Sequence, residues 1–227
     1  MLRASGGALA SSKEGDMYLF YRSARLRTTD VREQLAWAGA ITEKVNHISE
    51  TPVSLWSTVF SPASGTLTWT TFADSLAVLE ANNDKLVVDS GYLDLVDQAG
   101  KWDAGQPIDD GLLQYLVEPE QGDQPPAYVT AVRATLAPHQ FIRGIEVGIE
   151  IAARVKAANG IHTSFATSMT GGYGEVAWLT GFESIEQLES SEHKLNADAN
   201  FLSYIDSDAS DVYLAGVTTQ TVYRRII

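Results

Sequence analysis

Aromatic and β-branched residues are concentrated in two stretches that lie at similar places in the two halves of the chain. These stretches are Tyr18–Arg27 and Tyr128–Leu136, and their composition predicts a strand in each half. After each strand, apolar residues recur at three- and four-residue spacing, which predicts an amphipathic helix. Each half therefore begins with a strand that is followed by a helix.

The ends of these two helices carry sequence signals. In the first helix, Asp30 and Glu33 have the spacing of a capping box, so we expect the helix to begin there. In the second, Pro138 suits the first turn, and Gly160 suits the position after the last turn. The two helices thus occupy matching places in the two halves.

The remainder of each half continues with two strands, a helix, a short helical stretch and a last strand. Glycine-containing turns join the two strands, which is typical of hairpins. These elements are predicted at Val53–Phe60, Gly65–Phe72, a helix from Asp74, Gly91–Val96 and Leu112–Val117 in the first half, and at Thr163–Met169, Glu175–Thr180, a helix from Glu183, Asn200–Ile205 and Val212–Arg224 in the second. The order β-α-β-β-α-β is the ferredoxin-like motif.

The two halves are also similar residue by residue. Gly65–Asp97 aligns with Gly174–Asp206 at a constant shift of 109, so that Trp69 falls on Trp178. Upstream of this stretch the alignment continues at a shift of 110. Such self-similarity predicts a tandem repeat. The predicted divisions are a flexible N-terminal tail (1–16), a first ferredoxin-like repeat (17–117), a linker (118–126) and a second ferredoxin-like repeat (127–227).

The third strand of the first repeat has apolar residues on both of its faces. Leu67 and Trp69 share one face, and Phe72 lies on the other. This pattern is typical of a sheet that is buried on both sides. Because the helices of a ferredoxin-like motif cover one face only, we expect the two sheets to pack against each other. The predicted fold class is therefore α+β, with two tandem ferredoxin-like repeats packed sheet to sheet as an intrachain α/β barrel.

Charge and composition narrow the classes of partner. The chain of 227 residues has 16 Lys+Arg and 29 Asp+Glu, a formal net charge of -13. Since few cations are available to neutralise phosphates, neither nucleic acid nor an anionic membrane is expected as a partner. The sequence has no cysteine, which excludes disulfides, thiolate nucleophiles and cysteine-ligated metals. A membrane-length apolar run and a secretory h-region are both missing, so a cytoplasmic location is predicted.

The sequence resembles the dimeric α/β-barrel superfamily. The resemblance is carried by Gly174–Ser184, where a strand that ends in an aromatic residue runs into an acidic-Ser helix start, followed by Leu188, Leu195 and Phe201. Both halves take part in it, and the tandem form is similar to antibiotic biosynthesis monooxygenase-type proteins. In most members two chains pair to form the barrel, whereas here one chain would supply both halves. Pairing of two such barrels into a homodimer stays open.

The resemblance implies a small-molecule ligand in a cleft between the helices and the sheet. Several members are cofactor-independent monooxygenases of antibiotic biosynthesis, while others degrade haem, dismutate chlorite or have no established activity. The haem-degrading members combine an Asn on the first strand, a Trp on the third and a His on the second helix. Trp69 and Trp178 match the Trp and His193 matches the His, but neither first strand contains an Asn, so the set is incomplete.

Three residues are candidates for binding a substrate. Trp69 and Trp178 recur at the same place in both repeats, where each is either a core anchor or a pocket wall that stacks on a flat ligand. Arg133 lies on a strand of a sheet that is covered on both sides, so it needs a salt-bridge partner or an acidic or carbonyl ligand. Arg22 lies one residue out of step with Arg133 in the aligned strands, so the two are expected on opposite faces.

Histidine supplies the candidate catalytic groups. Of the four histidines none recurs in the other repeat, and their spacing fits no zinc motif. The second repeat holds three of them, including the catalytic candidates His162 and His193, so we expect it to carry the active pocket. A neutral imidazole there would deprotonate a phenol or hydroxyquinone, giving an anion that reduces oxygen directly. Neither a cofactor nor a metal is predicted.

The sequence leaves three functions as candidates. The leading hypothesis is an α/β-barrel protein that binds a small apolar or aromatic ligand and acts as a cofactor-independent monooxygenase on an aromatic polyketide-like substrate. The first alternative is a non-catalytic ligand-binding or stress-response protein of the same fold. The second alternative is a haem-binding protein.

Overall fold

The structure is a computed structural model, and it describes a single continuous fold for most of the chain. The residues described are 16–227, except for Thr28, Ala63, Asp103, Ala104, Gln106, Pro107, Gln121 and Asp123. The predicted N-terminal tail, 1–16, therefore lies outside the described residues apart from its last position.

Both halves have the same order of strands and helices. The first half contains β1 (Tyr18–Arg25), α1 (Val31–Ile48), β2 (Val53–Val59), β3 (Thr66–Ala73), α2 (Leu76–Leu86), α3 (Ser90–Ala99) and β4 (Asp109–Val117). The second half contains β5 (Tyr128–Thr135), α4 (Phe141–Asn159), β6 (Thr163–Ser168), β7 (Glu175–Phe182), α5 (Ile185–Ala197), α6 (Ala199–Ser207) and β8 (Thr219–Arg225). This order agrees with the ferredoxin-like motif predicted for each half.

The strands form one closed antiparallel barrel in the order β1-β3-β2-β8-β5-β7-β6-β4. Within each half the first strand lies between the third and the fourth, as β1 does between β3 and β4. The halves are joined at two seams, where Thr58 of β2 faces Tyr223 of β8 and Leu113 of β4 faces Ser168 of β6. The α+β class and the intrachain α/β barrel are thus confirmed.

Alternate residues of each strand enter two separate layers. One set points into the barrel, where Leu19, Leu113, Tyr115, Ala166 and Ala177 form a buried cluster. Burial there raises the pKa of Tyr115, because the phenolate would lose its hydration. The other set points outward and packs under the helices, which explains the apolar residues on both faces of the strands.

The cap of one helix and the starts of two other elements differ from their prediction. Asp30 has a left-handed backbone (φ 57°) and makes no side-chain cap, so the predicted capping box is wrong. Its carbonyl oxygen instead accepts hydrogen bonds from the backbone amides of Glu33 and Gln34 in the first turn. Helix α4 begins at Phe141, so Pro138 precedes the helix rather than lying in its first turn. Strand β8 begins at Thr219, later than predicted, and upstream of it only an isolated bridge at Tyr213 continues the pairing.

Helix α4 lies close to the sheet because two glycines face the strands. A Cβ atom on Gly148 would lie 2.2 Å from a ring carbon of Phe165, and one on Gly144 would lie 2.1 Å from Leu136. Side-chain atoms never approach so closely, so these positions require glycine for space rather than for backbone conformation. The rings of the second half therefore pack directly against the α4 backbone.

Replacing Gly148 by alanine tests this close packing. We expect Gly148→Ala to lower the free energy of unfolding by about 1–3 kcal/mol, because the Phe165 ring must shift. The matched control is Gly39→Ala in α1, where the added Cβ would meet Ile227 at 3.5 Å, an ordinary contact. The control should leave stability unchanged or raise it by about 0.5–1 kcal/mol through helix propensity. Urea unfolding measures both, and equal effects would contradict the packing argument.

Candidate functional site

The main cavity among the described residues lies beneath the helices of the first half. Its volume is about 790 Å³, and it is bounded by the outer face of β1–β3 and by α1, α2 and α3. Most of the wall is apolar. The side chains that form this wall include Trp37, Ile41, Val45, Trp69, Leu79 and Leu86.

Two tryptophans form a rigid corner of this wall. The rings of Trp37 and Trp69 meet edge to face, with centroids 6.1 Å apart and an interplanar angle of 79°. Trp69 Nε1 donates to Thr42 Oγ1 at 2.9 Å, and Trp37 Nε1 donates to the Leu95 carbonyl at 2.8 Å. Because both indole N–H groups have partners, their rings are fixed and present apolar surface to the cavity.

A charged pair lies at the mouth of the cavity. Arg22 of β1 donates from Nε and Nη2 to the two carboxylate oxygens of Asp110, each at 2.7 Å. The two side chains are 44% and 45% exposed, so the pair sits between the cavity and solvent. The hydrogen bond to Asp110 and the nearby Tyr92 raise the pKa of Arg22. The guanidinium therefore stays charged, and its fork is held in one orientation.

Another part of the cavity wall is a neutral polar network. Asn82 of α2 donates to Thr51 Oγ1 at 3.0 Å, and Thr71 of β3 donates to the Pro52 carbonyl at 2.9 Å. The Glu50 amide donates back to Asn82 Oδ1 at 3.2 Å. These bonds tie α2 to the sheet, so this end of the cavity has a defined shape.

The corresponding space in the second half is filled by side chains. Trp178 packs on Phe165 with ring centroids 5.2 Å apart and on Tyr213 at 5.3 Å. Its Nε1 donates to the Gly148 carbonyl at 2.9 Å, and its side chain is nearly fully buried. In the first half the place of Phe165 is taken by the smaller Leu55, which faces Trp69 as Phe165 faces Trp178. The two repeated tryptophans therefore have different surroundings.

The binding candidates from the sequence are thus placed apart from one another. Trp69 lines the cavity, whereas Trp178 lies in the filled core of the second half. Arg133 points into the barrel, where its Nη1 donates to Tyr21 Oη at 2.8 Å and its guanidinium lies 4.6 Å from the ring centre. Arg22 and Arg133 thus lie on opposite faces, as the alternation predicts.

The two candidate catalytic histidines lie outside the cavity. His193 is exposed on α5, and His162 Nε2 lies 2.6 Å from the Glu118 carbonyl, before β6. No histidine is found among the described residues that line the first-half cavity. A catalytic role for these histidines stays a prediction, and it requires a site other than this cavity.

Sequence reasoning missed the partner of Arg22. The last strand of the first half is predicted to begin at Leu112, but β4 begins at Asp109, and Asp110 faces Arg22 across the strand pair. The signal that could have found the pair is the register itself, since Arg22 also faces Trp69 on the other side. Where a charged and an aromatic residue face each other on one surface of a sheet, that surface does more than form a hydrophobic core.

Comparison with known proteins establishes the fold. A candidate monooxygenase from Fusobacterium nucleatum has a TM-score of 0.70 at 8% identity, with 94% of each chain covered. An anthrone oxidase-like protein has a TM-score of 0.65 at 12% identity, covering 95% of this chain and 93% of that one. A candidate chlorite dismutase, TA0507, has a TM-score of 0.59 at 13% identity, covering 94% of this chain and 96% of the other.

At these low identities the likeness shows the fold alone. The chain has the barrel architecture of ferredoxin-like, monooxygenase-type proteins, as the sequence resemblance predicted. No protein-family model matches the sequence, and a search of curated proteins finds no significant match.

Two further classes of site were sought in the described part of the chain. Within residues 16–227, leaving aside the eight undescribed positions, no group of three or more His, Asp or Glu side chains could hold a metal ion. None of the helices described there has the length and apolar character that crossing a membrane requires.

An ion pair that holds α1 against α3 gives a pH-dependent test of the helix layer over the cavity. Lys44 Nζ lies 2.9 Å from Asp89, which also caps α3 by accepting from the Tyr92 amide at 2.8 Å. These bonds lower the pKa of Asp89 below its ordinary value of 3.8, with the Lys44 bond the largest cause. The carboxylate therefore contributes stability above that ordinary value and loses the contribution as the pH falls through its lowered pKa.

We expect Asp89→Asn to be less stable than the unaltered protein near pH 6, with a smaller difference near pH 2.5. Asparagine can still cap a helix, so the change removes mainly the Lys44 pair. Asp94→Asn, on the exposed side of α3, serves as the control and should leave stability unchanged at both pH values. Urea unfolding at the two pH values measures the difference, and a gap that does not shrink at low pH would count against the ion pair.

Proposed function

We propose that the first-half cavity binds a small, largely apolar aromatic ligand, and that the protein is a cofactor-independent monooxygenase acting on an aromatic polyketide-like substrate. The observation that carries the proposal is the 790 Å³ cavity with its fixed corner of Trp37 and Trp69. This volume lies in the range of small-molecule sites, about 300–1,000 Å³. Rigid indole rings supply apolar contact to a flat ligand at little entropic loss.

The proposed chemistry needs the substrate, oxygen and a proton acceptor. Removing a proton from an anthrone gives a carbanion that is stabilised by its rings and carbonyl, and this electron-rich anion reduces O₂. Overall, one anthrone and one O₂ give one anthraquinone and one water, so atoms and electrons balance. The lining carboxylates Glu80 and Asp110 are the available proton acceptors. The apolar wall keeps bulk water from the carbanion.

The haem-binding alternative fits the cavity poorly. Haem iron is held by His, Cys, Met or Tyr, and none of the described lining residues is His, Cys or Met. Tyr92 is the one residue of an iron-ligand type among the described lining residues, and it lies near the Arg22 guanidinium. We therefore derive no step through haem.

The non-catalytic alternative is favoured by the lack of a histidine base among the described residues that line the cavity. A protein of this kind would bind the same ligands without consuming oxygen. Measuring binding and oxygen uptake on the same sample separates the two functions, since a non-catalytic binder gives only the first signal.

Filling the cavity tests whether it is the reaction site. The assay follows oxygen uptake and quinone formation from an anthrone, with and without the protein. We expect Val45→Trp, which places an indole inside the cavity, to lower kcat/KM by about a hundredfold, because the ring system can no longer reach its position. Ala40→Trp, exposed on the same helix, is the matched control and should keep full activity. Activity that survives Val45→Trp in a folded protein would remove the cavity from the proposal.

The histidine prediction can be tested with the same assay. If the first-half cavity is the reaction site, His162→Gln and His193→Gln should each retain activity within about twofold, since neither side chain lines it. A loss of activity in either variant, with unchanged thermal stability, would move the chemistry to the second half.

A further inference from the structure

The charged pair at the mouth of the cavity belongs to the first half only. Arg22 and Asp110 face each other in the β1–β4 register. The matching positions of β5 and β8 hold Val132 and Gln220, which face each other in the same way. Because the rest of the strand frame is shared, the pair is a local addition to the half that has the cavity.

The pair leaves hydrogen-bonding groups directed to a ligand. A guanidinium has five N–H donors, of which Asp110 takes one from Nε and one from Nη2, and Tyr92 takes a further one. The donors that remain can donate to a carbonyl oxygen. Each oxygen of Asp110 also has a further lone pair that can accept from a hydroxyl. The mouth of the cavity therefore offers a donor and an acceptor side by side.

The charges of the described lining residues cancel. Arg22 and Arg25 line the cavity together with Glu80 and Asp110, and none of the other described lining residues is a lysine or a histidine. A neutral ligand can bind to the Arg22–Asp110 pair without separating it. A carboxylate ligand would either lie within a few ångströms of Asp110, where like charges repel, or displace it and leave its charge without a partner.

We propose that the Arg22–Asp110 pair makes the cavity selective for ligands that carry a carbonyl next to a hydroxyl, and that Asp110 excludes ligands anchored by a carboxylate. The inference rests on the proposed function, since it names the substrate class of the same cavity. The ligand carbonyl accepts from Arg22, and its hydroxyl donates to Asp110. In this role Arg22 and Asp110 are specificity-determining residues.

A matched pair of naphthalene probes tests the selectivity. One probe is an ortho-hydroxyacetylnaphthalene, and the other is the hydroxynaphthoate with the same substitution pattern, so only ketone and carboxylate differ. Isothermal titration calorimetry with the full chain measures both dissociation constants. We expect the unaltered protein to bind the ketone at least about fivefold more tightly than the carboxylate.

Removing the charge of Asp110 should reverse this preference. Asp110→Asn leaves Arg22 without its anionic partner, so the carboxylate probe should gain about tenfold relative to the ketone. The matched control is Asp211→Asn, which removes the carboxylate of the exposed Arg143–Asp211 pair in the second half. That variant should keep the ratio of the unaltered protein. Arg22→Met should weaken both probes.

Several outcomes would overturn the inference. The inference is wrong if the unaltered protein binds the carboxylate probe as tightly as the ketone probe or more tightly. It is also wrong if a folded Asp110→Asn protein shows the same ratio of the two dissociation constants as the unaltered protein. Binding of neither probe overturns both the inference and the proposed ligand cavity. If the ratio shifts as expected but no anthrone oxidation occurs, the selectivity stands and only the monooxygenase proposal fails.

Discussion

The pairing of edge strands between the two halves is the constraint on which the rest of the structure depends. Each ferredoxin-like sheet has two edges, and β2 pairs with β8 while β4 pairs with β6. Exposed edges would leave a row of backbone N–H and C=O groups without partners, and closure removes them. Closure also brings the inward-facing side chains of both halves together in one core. Space for a large ligand is therefore left on the outer face of the strands, beneath the helices.

On that outer face, the strands carry a filled core in the second half and border a cavity in the first half. In the second half Gly148 lets α4 lie against Phe165 and Trp178, which occupy the space. In the first half the ring of Phe165 is replaced by the smaller Leu55 beside Trp69. Leu55 is fully buried against Ala38 and Leu67, so the cavity lies beside this cluster rather than in the place of the Phe165 ring.

The fold could be predicted from the sequence, but the site could not. Hydrophobic periodicity marked the helices and strands, and the likeness of the halves supported two sheets facing each other. The site depends instead on volumes and register: Trp69 and Trp178 look alike in the sequence, yet one lines a cavity and the other is buried. The number of histidines favours the second half as the place of the active pocket, whereas the cavity described above lies in the first half. Arg22 and Asp110 are far apart in the sequence, and only the pairing of β1 with β4 brings them opposite each other.

The barrel interior shows why one chain holds two unequal halves. In a barrel made from two identical chains every interior contact occurs twice. Here the contact of Tyr21 with Arg133 occurs once, and the aligned positions of the other half hold Ala131 and Ser23. Tyr21 also lies across Gly111, where a Cβ would be 2.0 Å from its ring. At aligned positions a large residue in one half thus corresponds to a small one in the other, as Tyr21 does to Ala131. The same independence of the two halves allows one to keep a cavity while the other is filled.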